Sequence, residues 1–155
     1  MNRRFFLILL PLLLLAACAP NEVYNENHRI DDDGWNMDDK LVFNFEAEDT
    51  TQTYLCCLDI RNRHDYPFSN IYFLISTIYP DGSVAVDTNI EFQLTERDGR
   101  WFGKDNGRYV DGRYPFCYFH FPQTGSYQFI IQHAMRDSVL QGIKNIGLHI
   151  EKIEQ

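Results

Sequence analysis

Residues 84–94 read "VAVDTNIEFQL". Val84, Val86, Thr88, Ile90, Phe92 and Leu94 alternate with Ala85, Asp87, Asn89, Glu91 and Gln93. Successive side chains leave a strand in opposite directions, so alternation over this length marks a strand with one buried and one solvated face. The run suits either one long strand or two, bent near Thr88 and Asn89. Just before it, Pro80-Asp81-Gly82-Ser83 supplies a turn. Before that turn, "NIYFLISTIY" (70–79) is apolar on both faces, which places it centrally in a sheet.

The same period continues in both directions. "LVFNFEA" (41–47) sets Leu41, Phe43 and Phe45 against Asn44 and Glu46. "TYLCCLDIRN" (53–62) sets Tyr54, Cys56, Leu58 and Ile60 against Asp59 and Arg61. Towards the C-terminus come "FCYFHF" (116–121) and "SYQFIIQHAM" (126–135), joined by Pro122-Gln123-Thr124-Gly125 as a hairpin connection. "NIGLHIEKI" (145–153) is the last strand, and residues 136–144 are either a short helix or an irregular crossover. Twelve Phe, nine Tyr and two Trp suit a sheet protein. Seven or eight strands with almost no helical period predict an all-β domain over residues 41–155. Its expected architecture is an antiparallel β-sandwich with Greek-key or jelly-roll wiring.

The N-terminus is of another kind. Met1 to Arg4 carries two positive charges, and residues 5–17 are an apolar run of 13, short of the roughly 20 needed to span a bilayer. Leu15-Ala16-Ala17-Cys18 then matches a bacterial lipobox. Residues 1–17 are therefore expected to be a lipoprotein signal peptide, cut before a lipidated Cys18. Lipid chains on Cys18 would hold the protein at a membrane, each buried methylene contributing roughly 0.8 kcal/mol. Ala19 stands where an aspartate often retains lipoproteins at an inner membrane, and no tight acidic run follows Cys18. The expected location is the periplasmic face of an outer membrane.

Cutting after residue 17 leaves 138 of 155 residues, enough for one domain with its own core. It also removes Arg3 and Arg4 and takes the net charge from −8 to −10. That balance excludes nucleic acid as a partner and electrostatic adhesion to anionic lipid. Residues 18–40, rich in Asn and Asp and without a period, read as a flexible tether. Trp35 stands out there as a residue to dock on the domain. Asp31-Asp32-Asp33-Gly34 lacks the spacing of an EF-hand loop and reads as a solvated acidic linker.

Candidate chemistry is sparse. Cys56 and Cys57 are neighbours on a strand and face opposite sides, so one of them is a candidate to pair with Cys117 in an oxidising compartment. Buried thiols acting as small apolar residues are the alternative. His28, His64, His120, His133 and His149 show no metal-ligand spacing, and they read as half-buried or surface side chains. No nucleophile elbow, phosphate loop, dinucleotide fingerprint or zinc-protease motif occurs. The expectation is a protein that is not an enzyme, with no metal and no cofactor. Residues 95–115 form a glycine-rich loop carrying Trp101 and Tyr109, and Asp105, Asn106 and Asp111 there are a minor calcium candidate. Trp101 reads first as packing over the end of the sandwich. Trp101 and Tyr109 are next candidates to contact a protein partner, and then a sugar ring.

Two long stretches carry a resemblance. "NIYFLISTIYPDGSVAVDTNIEFQLTERDGRWFGK" (70–104) contains Ile71-Tyr72-Phe73, Pro80-Asp81-Gly82, Asp87-Thr88, Leu94 and Gly99-Arg100-Trp101-Phe102-Gly103. "FPQTGSYQFIIQHAMRDSVLQGIKNIGLHIEKI" (121–153) adds a Gly-x-Tyr strand, Met135-Arg136 and Leu140-Gln141-Gly142-Ile143 before the last strand. With the lipobox, these resemble the GldH family of gliding-motility lipoproteins of the Bacteroidetes. The resemblance implies an accessory component of the gliding and type IX secretion apparatus, working through contacts with other envelope proteins. It carries over no active-site residues. The rival reading is a glycan-binding envelope lipoprotein.

Overall fold

The computed structural model describes residues 21–153, with the backbone alone for 86–88. Among them there is no helix, and eleven strands follow one another. They are β1 (Glu22–Arg29), β2 (Trp35–Asn36), β3 (Leu41–Ala47), β4 (Tyr54–Arg63), β5 (Asn70–Ile78), β6 (Val84–Gln93), β7 (Lys104–Asp105), β8 (Tyr109–Phe119), β9 (Gly125–His133), β10 (Val139–Leu140) and β11 (Ile143–Lys152). Eight are long; β2, β7 and β10 have two residues each. The signal peptide expected over 1–17 and the expected lipidation site Cys18 lie outside the described residues.

Two antiparallel sheets form the sandwich, one ordered β1-β11-β4-β8-β7 and the other β3-β9-β5-β6. The wiring is that of a jelly roll. Its tip is the turn after β5, where Tyr79 N donates to Ser83 O and Asp81 Oδ1 accepts from Ser83 N. From there the chain pairs with itself outward: β5 with β6, β4 with β8, β3 with β9 and β1 with β11. Folding this long double arm across itself distributes alternate pairs between the two sheets.

Alternation decides which side chains enter the core. Phe43, Phe45, Ile71, Phe73, Ile75, Tyr127, Phe129 and Ile131 from one sheet meet Tyr54, Cys56, Leu58, Ile60, Ile146, Leu148 and Ile150 from the other. Each large side chain removed from water contributes about 1.5–3 kcal/mol. Aromatic edges bridge the sheets, with Phe45 and Tyr54 at 6.3 Å and Phe92 and Tyr114 at 5.7 Å between centroids. β5 lies between β9 and β6, as its two apolar faces require.

The long run at 84–93 is one strand with a bulge. Phe73 pairs with Ile90 and Ile75 with Asp87, so Thr88 and Asn89 stand opposite Leu74 alone. Asn89 has φ +45°, a left-handed conformation that asparagine tolerates better than most residues.

The expected tether does not hold from Glu22 onward. β1 is an edge strand on β11, and β2 pairs with β10, so the Asn- and Asp-rich leader belongs to the sandwich. Backbone hydrogen bonds hold β1 in place although its side chains are mostly exposed, and its half-buried Tyr24 and His28 rings stand edge-on to Phe45 and Phe43. Trp35 is 1% exposed, with its indole nitrogen donating to Asp39 O at 2.8 Å. Of the alternatives for residues 136–144, the irregular crossover is found, interrupted by β10.

Candidate functional site

Residues 95–115 are less of a loop than their glycines imply. β7 falls within this segment, and β8 reaches back to Tyr109. Thr95 bridges to Trp101, and Glu96 N donates to Arg100 O at 2.7 Å, which makes a tight hairpin. Trp101 is half-buried against the core, its ring 6.3 Å from that of His64. Tyr109 begins β8 opposite Arg63, with the guanidinium carbons of Arg61 and Arg108 at 5.9 and 5.2 Å from its ring centre. His64 links the two neighbourhoods, since its backbone N donates to Arg108 O at 2.9 Å.

The three candidate calcium ligands have separate duties. Asp105 Oδ1 accepts from Gly107 N, Asn106 Oδ1 accepts from Tyr109 N at 2.8 Å, and Asp111 is held by Arg61. Among the described residues, no group of three or more His, Cys, Asp or Glu side chains is placed to hold a metal ion. In the leader, Asp32 pairs with the mostly buried Lys144, which holds its carboxyl below the usual range. The three aspartates of the acidic run are solvated, as expected, and Asp32 also ties the run to β11.

A second polar surface lies on the outer face of the five-stranded sheet. Register places Asp59 of β4 opposite Arg113 of β8, and Arg61 opposite Asp111. Both pairs are bidentate: Arg113 Nε and Nη2 reach Asp59 at 2.6 and 2.7 Å, and Arg61 Nε and Nη2 reach Asp111 at 2.5 and 3.0 Å. The carboxylates stabilise both guanidinium ions, raising their pKa values. Asn27 of β1 and Asn145 of β11 complete the rim of a shallow groove of about 480 Å³. Gly147 lies directly opposite Asn27, and a Cβ there would run into the Asn27 side-chain oxygen.

Beneath the rim lies His149, almost fully buried. Arg113 Nη1 stands 3.3 Å from His149 Nε2. Glu151 Oε2 lies 3.4 Å from the same nitrogen, and Nδ1 stands 3.1 Å from Glu22 Oε2. His149 therefore couples β1 to the Arg113–Asp59 pair. His120, just past the end of β8, has Nε2 3.1 Å from Thr53 Oγ1, whereas His133 of β9 is buried against Trp35, so the two histidines do not share a site.

Cys56 and Cys117 face each other across β4 and β8, while Cys57 pairs with Pro115 beyond a bulge. The Cys56 thiol hydrogen-bonds to Cys117, and that contact together with burial raises its pKa strongly. Burial, with the nearby Glu151 carboxylate, pushes the Cys57 thiol up to about 11. Neither thiol ionises readily at neutral pH.

Fold and face together define a small jelly-roll protein that presents an ordered polar sheet surface to its surroundings. It belongs to the GldH lipoprotein family, whose family model matches residues 22–150. The chain is 30% identical to the gliding motility lipoprotein GldH homolog of Christiangramia forsetii, with 95% of this chain and 94% of that one covered. It is 28% identical to the gliding motility lipoprotein GldH of Flavobacterium johnsoniae, covering 94% of both. Among solved structures, a family GH115 4-O-methyl-alpha-glucuronidase superposes with a TM-score of 0.41 and 13% identity over 86% of this chain and 18% of that one. The VP2 subviral particle of infectious bursal disease virus gives 0.37 and 12% over 86% and 34%. Superpositions this loose carry no argument about what the chain does.

Proposed function

We propose that the protein is an outer-membrane lipoprotein, anchored through Cys18. In this reading it serves the gliding motility and type IX secretion apparatus as a non-enzymatic accessory, through contacts with other envelope proteins. The observation that carries this reading is the family match over residues 22–150, shared with two relatives named for gliding motility. The lipobox at Cys18 and the small-residue cleavage site support lipid attachment. With β1 starting at Glu22, the link from anchor to sandwich is three residues, so Cys18 and Glu22 are at most about 14 Å apart when extended. A domain held this close to the bilayer suits a fitting inside an assembly better than a long-reaching probe.

The test is a clean deletion complemented with wild type or with Cys18→Ala, scoring exported cargo in the medium and spreading of cells on a surface. Loss of export or spreading that wild type restores and Cys18→Ala does not is the expected result. Normal export and normal spreading in the deletion would overturn the proposal.

A further inference from the structure

We infer that the groove on the outer face of the five-stranded sheet is a binding site for a neutral saccharide. It is formed by Asn27, Asp59, Arg61, Asp111, Arg113 and Asn145. The argument begins with charge. Two guanidinium groups and two carboxylates are locked to one another in bidentate pairs, so the groove carries no net charge from them. An anion or cation entering it would gain from one partner and lose to the other. A neutral ligand has no such penalty.

The second step is directional chemistry. Each carboxylate oxygen has more lone-pair directions than its arginine occupies, so Asp59 and Asp111 still accept hydrogen bonds. Arg61 keeps donors free of Asp111, and the amides of Asn27 and Asn145 both donate and accept. Four strands hold these groups at fixed spacings in one plane, because cross-strand register sets them. A fixed planar array of mixed donors and acceptors matches the vicinal hydroxyls of a sugar ring. Apart from Gly112 and the buried Ile60, every residue lining the groove carries a polar or charged side chain, and the carbon stems between those groups can meet the faces of a sugar ring.

The third step is pre-organisation. Arg113 is fixed at both ends of its guanidinium, by Asp59 and by His149 Nε2, and His149 is itself wedged against Glu22 and Glu151. Gly147 leaves space above the sheet for Asn27 to lie across it. Surface ion pairs of this exposure contribute little to stability. Two parallel bidentate pairs set beside a glycine floor and buttressed by a buried histidine are more than a solvated face requires. Ordering the groups before the ligand arrives lowers the entropic cost of binding.

The experiment uses the full lipidated protein in detergent micelles. Affinity electrophoresis is run through gels containing neutral hexan, pentan or N-acetylhexosamine polymers, with uronic-acid polymers alongside. Retardation by one neutral polymer is expected, little changed by salt and absent with the acidic ones. Asn145→Ala and Asp59→Asn should each weaken it at least tenfold with an unchanged melting temperature, while Trp101→Ala leaves it intact. Should a variant melt early, Asn27→Ala replaces it, being on an edge strand. The inference is overturned if no neutral polymer retards the protein, if only acidic polymers do, or if retardation survives the groove variants and disappears with Trp101→Ala.

Discussion

The His133 ring donates from Nε2 to the carbonyl oxygen of Trp35 at 2.9 Å, and the two rings stand edge to face at 5.1 Å. This contact joins the leader to the last residue of β9 across most of the chain. The carbonyl accepts only, so the proton is on Nε2 and the buried Nδ1 has no hydrogen-bond partner.

Acid should therefore loosen the leader. Burial lowers the His133 pKa from 6.5, outweighing the Trp35 carbonyl and the Asp137 charge, which pull it back up. The unfolded chain binds a proton first as pH falls, so the stabilisation is complete above 6.5 and drains away below it. His133→Gln keeps a donor and cannot titrate in this range. Melting temperatures between neutral and mildly acidic pH should fall more steeply for wild type than for the variant; equal slopes would dismiss the role given to His133.

Trp35→Ala should cost about 3–5 kcal/mol, the usual loss for truncating a large buried aromatic ring. The residue packs on Phe73 at 6.0 Å as well as on His133, so the cavity would open inside the main core. Urea unfolding monitored by far-UV circular dichroism reads this directly. A loss below about 1 kcal/mol would mean that the leader docks independently of the sandwich.

How legible each part was in the sequence follows from where its information lay. The strand at 84–93 was readable because its alternation is local, and even its bulge was marked by Thr88 and Asn89. β1 was not, since its burial is slight and its partner β11 lies at the other end of the chain. The same holds for the polar groove. Asp59 and Arg61 were visible as the solvated side of their strand, but their pairing with Arg113 and Asp111 depends on a register that only the folded sheet supplies. Trp101 and Tyr109 attracted notice as large aromatics in a glycine-rich stretch, yet Trp101 spends its ring on the core and Tyr109 on two arginines.

Register also selects between the cysteines. Cys56 faces Cys117 and Cys57 does not, so oxidation should join Cys56 to Cys117. The raised pKa of Cys56 makes its folded thiol slow to react, which places bond formation before the sandwich closes. In protein recovered from an oxidising compartment, alkylation after denaturation should label Cys57 alone of these three. The loop-entropy model gives such a bond about 4 kcal/mol. Labelling of all three residues would remove the disulfide from consideration.

Asn89 occupies a backbone conformation that β-branched residues adopt at high cost. Asn89→Val should destabilise by about 1–2 kcal/mol, whereas Asn89→Gly should be close to neutral. Thermal melts of the pair check this. Equal melting temperatures would show that the bulge relaxes without its left-handed residue.

The closeness of β1 to the anchor gives the functional proposal its sharpest test. Three residues, Ala19, Pro20 and Asn21, separate Cys18 from Glu22, and a flexible Gly/Ser insert of some 20 residues there would allow a typical reach of about 25 Å. Such an insert leaves the sandwich and the lipid signal unchanged, so membrane fractionation and melting temperature should match wild type. If the protein works as a fitted component beside the bilayer, export and spreading should drop in the strain carrying the insert. Shortening the insert should restore them in steps. Full activity with the long insert would instead describe a domain that works at any height above its membrane, and the fitted-component reading would have to be abandoned.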